Sequence, residues 1–402
     1  MTKIDLQPSD LLGFSRLAND LVEQVTDVVE ELHGKVARTS VDACPPSAQA
    51  FTAGVPALVY NGIRSVTALV GSSLINSEPL LASADGKPVS PKREAIVAAV
   101  NGVFGDYLAQ TKNPLAISMS LRNCGRPLQI EASALRRALR PSPKVFLLVH
   151  GLCLSDLHWG YKGHNRGAAL ARSLGYTPLH LHYNSGLHVS ENGELFAAQL
   201  EALVQQWPVP LQELVIVGHS MGGLVARSAC YQGRQLGHRW PALLRRLVFL
   251  GTPHHGAPLE RLGNLVDNVL ESNPYAAPFA RLGKIRSAGI TDMRYGNLLE
   301  DDWKGRDRFA PGKDPRTPVP LPGNVQNYAI AATRQAAASP ERDMFSDGLV
   351  TVDSALGRHP NPEMNLGFPD FQTWIARGIN HWDLLRHAAV YAHLRTWLAE
   401  EP

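Results

Sequence analysis

Cysteine is scarce in this chain, and long uninterrupted apolar runs are missing. The 402 residues include four cysteines, which form no CxxC pair and no spacing typical of a metal site. We therefore expect free thiols in a reducing compartment rather than a disulfide framework. The most apolar region, residues 51–75, is interrupted by proline, asparagine, glycine and arginine, so a membrane span is a poor interpretation. The cysteines are Cys44, Cys124, Cys153 and Cys230.

A large excess of either positive or negative charge is also lacking. Lysine and arginine number 39 and aspartate and glutamate 36, which gives a formal net charge of +3. No basic run indicates nucleic-acid binding, and the charge balance says little about other partners. The first eight residues do not show the basic segment and apolar core of a secretory signal. We expect a cytoplasmic protein that binds no nucleic acid.

Residues 1–110 are predicted to form an N-terminal helical region. Apolar side chains recur every three or four positions between residues 17 and 36, and acidic side chains lie between them. We expect these helices to pack on protein. A dimer surface or peripheral contact with a membrane are the alternatives, and the sequence leaves the oligomeric state open.

Residues 111–402 alternate between strand and helix patterns, which predicts an α/β domain with a mostly parallel sheet and helices on both faces. Two short strands with a hairpin turn at Cys124-Gly125 come first, and continuous apolar runs typical of buried parallel strands follow. The predicted strands cover residues 115–121, 127–130, 145–149, 179–183, 214–217, 247–250, 328–331 and 371–375.

A long insertion, residues 257–323, interrupts this alternation. It is rich in asparagine, arginine, glycine and proline. An insertion of this length in a compact domain is usually functional, so we predict a cap over the site. A surface elaboration with no role in substrate binding is the alternative.

The most informative stretch is Gly218–Gly223, with the sequence GHSMGG. It follows an apolar strand pattern and precedes a helix pattern, which is the arrangement of a nucleophile elbow with Ser220 at its apex. Side chains at Gly218 and Gly222 would collide with the neighbouring strand and helix. The helix dipole would favour negative charge developing near Ser220. The alternative is an ordinary turn serine.

A serine hydroxyl needs a base to take its proton and a third group to orient that base. In folds with this elbow the chain order is serine, acid, histidine. Asp347 and His381 follow predicted strands, so both belong to loops at the carboxyl ends of parallel strands. His387 is the rival base, and we expect it on a face of the last helix. The competing acids are Asp343, Asp353 and Asp370.

Two backbone donors are needed to stabilise the oxyanion of such a reaction. Met221 follows the nucleophile, and Leu152 lies in the loop after the strand at 145–149, so these two residues are the predicted donors. His150, in the same loop, is interpreted as structural. We expect His254 and His255 to line a pocket wall or brace a loop, because adjacent histidines seldom bind one ion and no carboxylate or cysteine lies at ligand spacing.

Five motifs in this order resemble the α/β-hydrolase superfamily. The chain is most similar to bacterial true lipases and inositol-deacylase-like lipases and esterases, over roughly residues 113–400. The motifs are HGL at 150–152, GHSMGG at 218–223, GTPH at 251–254, SDGLV at 346–350 and NHWD at 380–383.

The resemblance implies an α/β-hydrolase fold with Ser220 as nucleophile, Asp347 as acid and His381 as base. It implies Leu152 and Met221 as oxyanion donors, and no organic cofactor.

Related lipases often hold a structural calcium ion through an aspartate two residues after the catalytic histidine, and Asp383 matches that position. The glutamine that follows four residues later in those lipases is replaced here by His387. No second aspartate upstream fits the site, so we expect no metal.

The resulting hypothesis is a lipase- or esterase-type serine hydrolase that cleaves carboxylic esters of small molecules or lipids through an acyl-enzyme. Acyl transfer or thioester hydrolysis on the same residues is the alternative, because pocket shape and water access choose the acceptor. A non-catalytic binding protein with this fold is favoured least, since all three residue types are present in the expected order.

Overall fold

A computed structural model describes residues 7–20, 90–161, 164–257, 286–308, 314–336 and 347–399. Their contacts divide them into two compact units. The first contains residues 7–20, 90–93 and 108–116, and the second contains residues 94–107 and the described residues from 117 onward. Most of the predicted N-terminal region and much of the predicted cap lie outside the described residues. The domain boundary near residue 110 and the cap therefore stay predictions.

Two helices are described in the N-terminal region. Helix α1 runs from residue 8 to residue 20, where the described segment ends, and helix α2 spans Pro91–Gln110. Within the first unit, Arg93 pairs with the buried Asp10, with 2.6 Å between Nη2 and Oδ1. Both described helices fall where helices were predicted. None of the described helices is long and apolar enough to cross a membrane.

The described strands of the second unit are β1 (Ser120–Asn123), β2 (Arg126–Pro127), β3 (Lys144–Val149), β4 (Gly160–Tyr161), β5 (His164–Asn165), β6 (Thr177–His182), β7 (Glu213–His219), β8 (Leu244–Leu250), β9 (Gln326–Thr333) and β10 (Thr373–Arg377). Eight of them form one mixed sheet, in the spatial order β10-β9-β8-β7-β3-β6-β1-β2. Strands β10 to β6 in this order are parallel, whereas β1 is antiparallel to β6 and to β2. Strands β4 and β5 form a separate antiparallel pair.

Helices cover both faces of this sheet. After α1 and α2, the described helices are α3 (Ala132–Ala138), α4 (Arg166–Ser173), α5 (Val189–Gln206), α6 (Met221–Gln235), α7 (Ala288–Asp292), α8 (Val352–Ala355) and α9 (Ala388–Ala399). Helices α4 and α9 share one buried cluster with alternate residues of β3 and β7, such as Phe146 and Val215. Helix α6 packs on β7 and against α5, and neither helix contributes to that cluster.

The predicted central strands are confirmed, because the runs at 145–149, 214–217, 247–250 and 328–331 lie within β3, β7, β8 and β9. The hairpin strands β1 and β2 are shorter than predicted, and β10 has the predicted length but begins two residues later than predicted. Strand β2 ends at Pro127, which lacks the N–H that a longer ladder requires. The hairpin turn at Cys124-Gly125 is confirmed, and both residues have positive φ, 50° and 77°.

Candidate active site

Ser220 stands at the sharp turn between β7 and α6. Its φ of 53° and ψ of −128° are strained for a residue with a side chain. The turn is held by its own backbone, because Ser220 N donates to Leu250 O of β8 at 2.8 Å. The side chain is 6% exposed. The predicted strand–turn–helix context of Ser220 is therefore present.

The glycines on either side of Ser220 are required by close packing, as predicted. A Cβ at Gly218 would lie 2.6 Å from the backbone of Gly223, and a Cβ at Gly222 would overlap the carbonyl oxygens of Val149 and His150. Helix α6 thus begins tightly against the end of β3. This contact brings the loop after β3 to the serine.

Asp347 and His381 form a buried hydrogen-bonded pair, with 2.8 Å between Oδ2 and Nδ1. Oδ1 of the same carboxylate accepts the backbone N–H groups of Leu349 at 2.8 Å and Val350 at 2.7 Å. A carboxylate oxygen accepts hydrogen bonds, so Nδ1 of His381, which faces Oδ2, is assigned as the N–H donor of this pair. The unprotonated Nε2 is then the basic atom of the ring.

His381 begins a short 3₁₀ helix, His381–Leu385, that Asn380 caps with its side chain. Asn380 Oδ1 accepts from Trp382 N at 2.9 Å and from Asp383 N at 3.1 Å. Helix α9 begins only at Ala388, so the prediction that His387 lies on a face of the last helix is wrong. The 3₁₀ helix ends at Leu385, and a turn in which Arg386 N donates to Asp383 O at 2.9 Å separates it from α9.

Ser220 and His381 both approach the carboxyl end of β8. The backbone N–H of Ser220 donates a hydrogen bond to the last residue of that strand, and a Cβ at the next residue, Gly251, would lie 3.1 Å from the His381 ring. Among the described residues, the Ser220 hydroxyl and His381 form no hydrogen bond. Such contacts are often long in a protein without substrate and tighten when substrate binds.

His219, which the sequence did not single out, contacts His381 directly. Its Nε2 donates to the His381 carbonyl oxygen at 3.2 Å, and the two ring centroids are 4.8 Å apart. Burial, and after it the neighbouring His381, holds the pKa of the His219 imidazole well below its ordinary value. His219 is therefore a neutral donor that joins the end of β7 to the turn carrying His381. Its place one residue before Ser220 was the available signal.

The two predicted oxyanion donors lie on segments that meet at Ser220. A Cβ at Gly151 would be 2.9 Å from the Ser220 Cβ, so the loop carrying Leu152 passes beside the serine. Met221 is the first residue of α6. Within the described segments, the backbone N–H groups of Leu152 and Met221 donate to no acceptor. Two buried donors without acceptors are what an oxyanion requires.

The loop after β3 is braced by polar groups whose role the sequence did not assign. Tyr183 Oη donates to His150 O at 2.7 Å, and His150 Nδ1 lies 2.9 Å from Gly151 O. Cys153, with φ of 58°, donates its N–H to Ser185 Oγ at 3.1 Å. Burial is the main cause that lowers the pKa of His150 to about 3. His150 is thus neutral and structural, as predicted.

The rival residues are placed less favourably. Asp353 is half exposed and lies 3.7 Å from Arg358. Asp370 and His387 are exposed, and Asp343 lies outside the described residues. Of the acids and bases that the structure describes among these candidates, only Asp347 and His381 are buried together.

The residues considered for metal binding are engaged in other contacts. Asp383 accepts from Asn380 N at 3.1 Å and from Arg386 Nε at 3.2 Å. A buried group that the sequence did not reveal, Glu94, Asp156 and His182, has the ligand types and spacing of a metal site. Arg122 Nη1 already lies 2.8 Å from Glu94 Oε2 and 3.2 Å from Asp156 Oδ1, so a guanidinium supplies the cation of that group.

Comparison with known proteins adds a family match. Residues 186–317 match the family described as PGAP1-like alpha/beta domain. No curated protein matches the chain.

Solved structures that resemble this one are hydrolases of low sequence identity. The mature lipase BlEst2 of Bacillus licheniformis has 17% identity and a TM-score of 0.44, covering 70% of this chain and 98% of its own. The esterase Pf2001 of Pyrococcus furiosus has 14% identity and a TM-score of 0.38, covering 64% and 79%. An α/β-hydrolase superfamily protein of Enterococcus faecalis has 14% identity and a TM-score of 0.40, covering 65% and 94%.

The sheet order, the elbow after β7 and the family match agree with one another. The predicted α/β-hydrolase fold class, a mostly parallel sheet with helices on both faces, is confirmed, and residues 186–317 of this chain are similar to the PGAP1-like alpha/beta domain family.

Proposed function

We propose that this protein is a serine hydrolase that cleaves carboxylic esters through an acyl-enzyme. Ser220 is the nucleophile, His381 the general base and Asp347 the residue that orients the base. The observation that carries the proposal is the buried 2.8 Å contact between Asp347 and His381. His381 lies beside Gly251, the residue that follows β8, and Ser220 is hydrogen-bonded to the last residue of the same strand. An imidazole held in one tautomer by a carboxylate is the activating device that a serine hydroxyl needs.

In the first half-reaction, Ser220 Oγ attacks the acyl carbonyl carbon while His381 Nε2 takes the hydroxyl proton. The carbonyl oxygen becomes an oxyanion, and the N–H groups of Leu152 and Met221 donate to it. The intermediate collapses when its bond to the alcohol breaks, and His381 returns the proton to the leaving alkoxide. Ser220 then carries the acyl group as an ester.

In the second half-reaction, a water molecule gives its proton to His381 Nε2 and attacks the acyl carbonyl. The same two amides receive the second oxyanion. The acid leaves as Ser220 regains its proton. Asp347 remains ionised throughout and stabilises the imidazolium form of His381 in both halves.

The substrate class proposed is an ester of a small molecule or a lipid, without a cofactor. Action in the cytoplasm is part of the proposal and rests on the low cysteine content of the sequence. Burial raises the pKa of Cys153 and Cys230 to about 12, so neither buried thiol competes with Ser220 as a nucleophile.

The test is the hydrolysis of p-nitrophenyl esters, from acetate to palmitate, by the Ser220→Ala variant. We expect kcat to fall by about 10⁶, the order of loss that follows removal of such a nucleophile, with the fold unchanged by circular dichroism. Ser173→Ala, at an exposed position of α4, is the matched control and should retain full activity. Unchanged turnover in Ser220→Ala would falsify the proposal.

A further inference from the structure

A cavity of about 110 Å³ lies in the second unit between the loop after β8, helix α6 and the segments at 296–302, 314–321 and 362–366. A buried water needs roughly 10–15 Å³ by this measure, so the space accommodates a small polyatomic ligand. The wall carries Arg227 and His254, both buried. At the mouth, Glu363 and Asn365 are exposed, so solutes have a route of entry.

Arg227 brings a buried positive charge to this wall. It is 4% exposed, and its Nη2 donates to Val319 O at 2.6 Å. Its Nε–H is buried and meets no acceptor, and no carboxylate of the described segments lies within ion-pair distance of its guanidinium. Burial, and then Arg316, lowers the pKa of Arg227 to about 9, so the group is still charged at neutral pH. A buried charge of this kind is costly unless an anion or strong acceptors compensate it.

His254 offers a second donor to the same cavity. Arg227 Nη1 lies 3.2 Å from His254 Nδ1, and a guanidinium only donates, so Nδ1 accepts. Burial, followed by the charge of Arg227, keeps the pKa of His254 well below its ordinary value, so the ring is neutral with its proton on Nε2. That Nε2–H is buried and has no acceptor among the described residues.

The other charged side chains of the wall have hydrogen-bond partners or contact solvent. Arg316 pairs with Asp314, with 2.7 Å between Nη2 and Oδ2. Asp302 accepts three backbone N–H groups, from Leu298, Leu299 and Thr317, at 2.8 to 3.0 Å. Glu363 is exposed at the mouth. Asp302 and Glu363 keep their negative charges, so what distinguishes Arg227 and His254 is that Arg227 Nε–H and His254 Nε2–H are two buried donors without acceptors among the described residues.

We propose that this cavity binds a phosphate group, either free or as the head of an organic phosphate monoester, on Arg227 Nε and His254 Nε2. Phosphate suits the guanidinium because its oxygens accept charge-assisted hydrogen bonds in the geometry that arginine presents. The loop after β8 that carries His254 also carries Gly251, beside His381, so an occupied cavity would hold that loop in place. The site is independent of ester hydrolysis and stands even if the proposed reaction fails.

The test is calorimetric titration of the full chain with inorganic phosphate, glycerol 3-phosphate and acetate at one fixed ionic strength. Arg227→Gln should weaken phosphate binding by about tenfold or more, because a charge-assisted hydrogen bond is lost. Arg395→Gln removes the same charge from an exposed position of α9 and should leave binding unchanged.

Two exposed residues at the mouth provide variants that do not disturb the core. Glu363→Gln should tighten phosphate binding and Asn365→Asp should weaken it, each about two- to fivefold, since one removes and the other adds a negative charge near the ligand. These opposite shifts keep the proposal testable if Arg227→Gln does not fold.

Saturable phosphate binding with this pattern supports the site. Binding of glycerol 3-phosphate as well indicates an organic phosphate, and binding of inorganic phosphate alone indicates the free ion. No saturable binding, equal binding by folded Arg227→Gln, mouth variants that shift binding the same way, or a preference for acetate would each overturn the proposal.

Discussion

Replacing Asp347 by asparagine isolates the orienting role of the carboxylate. Oδ1 of Asp347 accepts two backbone N–H groups at 2.8 and 2.7 Å, so the asparagine carbonyl must take that place, because an NH₂ group there would face two donors. The NH₂ group then faces His381 Nδ1 at the position of Oδ2. His381 Nδ1 must accept, and its proton moves to Nε2, where it blocks the uptake of the serine proton.

The size of the effect follows from two losses. To act as a base, the ring must return its proton to Nδ1, where this N–H would face the NH₂ group of the asparagine. Placing these two donors against each other costs about 2 kcal/mol. The imidazolium also loses an adjacent negative charge, about 4 kcal/mol at 4 Å for an effective dielectric constant of 20. Together these raise the barrier by about 6 kcal/mol, and at 1.36 kcal/mol per factor of ten kcat should fall by about 10⁴.

The assay is steady-state hydrolysis of p-nitrophenyl butyrate, with kcat and KM determined separately. We expect KM to change little, because the carboxylate is buried behind His381 and touches no substrate. Asp353→Asn, at a half-exposed position, is the matched control and should behave as the unmodified protein. A kcat of Asp347→Asn within tenfold of the unmodified enzyme would refute the reasoning about the tautomer.

Three further predictions concern neighbouring residues. Glu213→Ala should lower the free energy of unfolding by about 3–5 kcal/mol in urea titrations, because buried Arg246 loses the partner that lies 2.6 Å away; a loss below 1 kcal/mol would contradict this. His219→Ala should lower kcat about tenfold or more with KM nearly constant, and His219→Gln should restore part of it, since glutamine can again donate to the His381 carbonyl; equal kcat values in all three proteins would exclude a positioning role. The pKa of His150 falls from 6.5 in the unfolded chain to about 3 in the folded one, so the unfolded state binds the extra proton between these values. Its contribution to stability is full above pH 6.5 and is lost as the pH falls toward 3; urea titrations between pH 7 and 5 should show a shallower pH slope in His150→Gln, and identical slopes would contradict the assignment.

The central strands and the elbow could be predicted because their signals are local. Continuous apolar runs identify β3, β7 and β8 without knowledge of their neighbours. The glycines around Ser220 indicate close backbone packing before the partners are known. Asp347 and His381 could be predicted from the order of strands and loops along the chain, and the structure places the two in contact.

The remaining features depend on contacts between distant segments. The Tyr183 and Ser185 bonds that hold the loop after β3 join residues 32 or 33 positions apart, and no local pattern announces them. Strand β1 of the edge hairpin pairs with β6 only over residues 120–122, and the apolar run at residues 115–121 does not reveal these limits. The cavity lined by Arg227 brings this residue of α6 together with a loop about 90 residues later.

The most direct measurement is mass spectrometry of the full-length protein after reaction with a fluorophosphonate ester, with the modified residue located by fragmentation. The account predicts one adduct per chain, attached to the hydroxyl in the turn after β7, with labelling slowed strongly by Asp347→Asn. A protein that stays unlabelled while folded, or one labelled on a different residue, would contradict it.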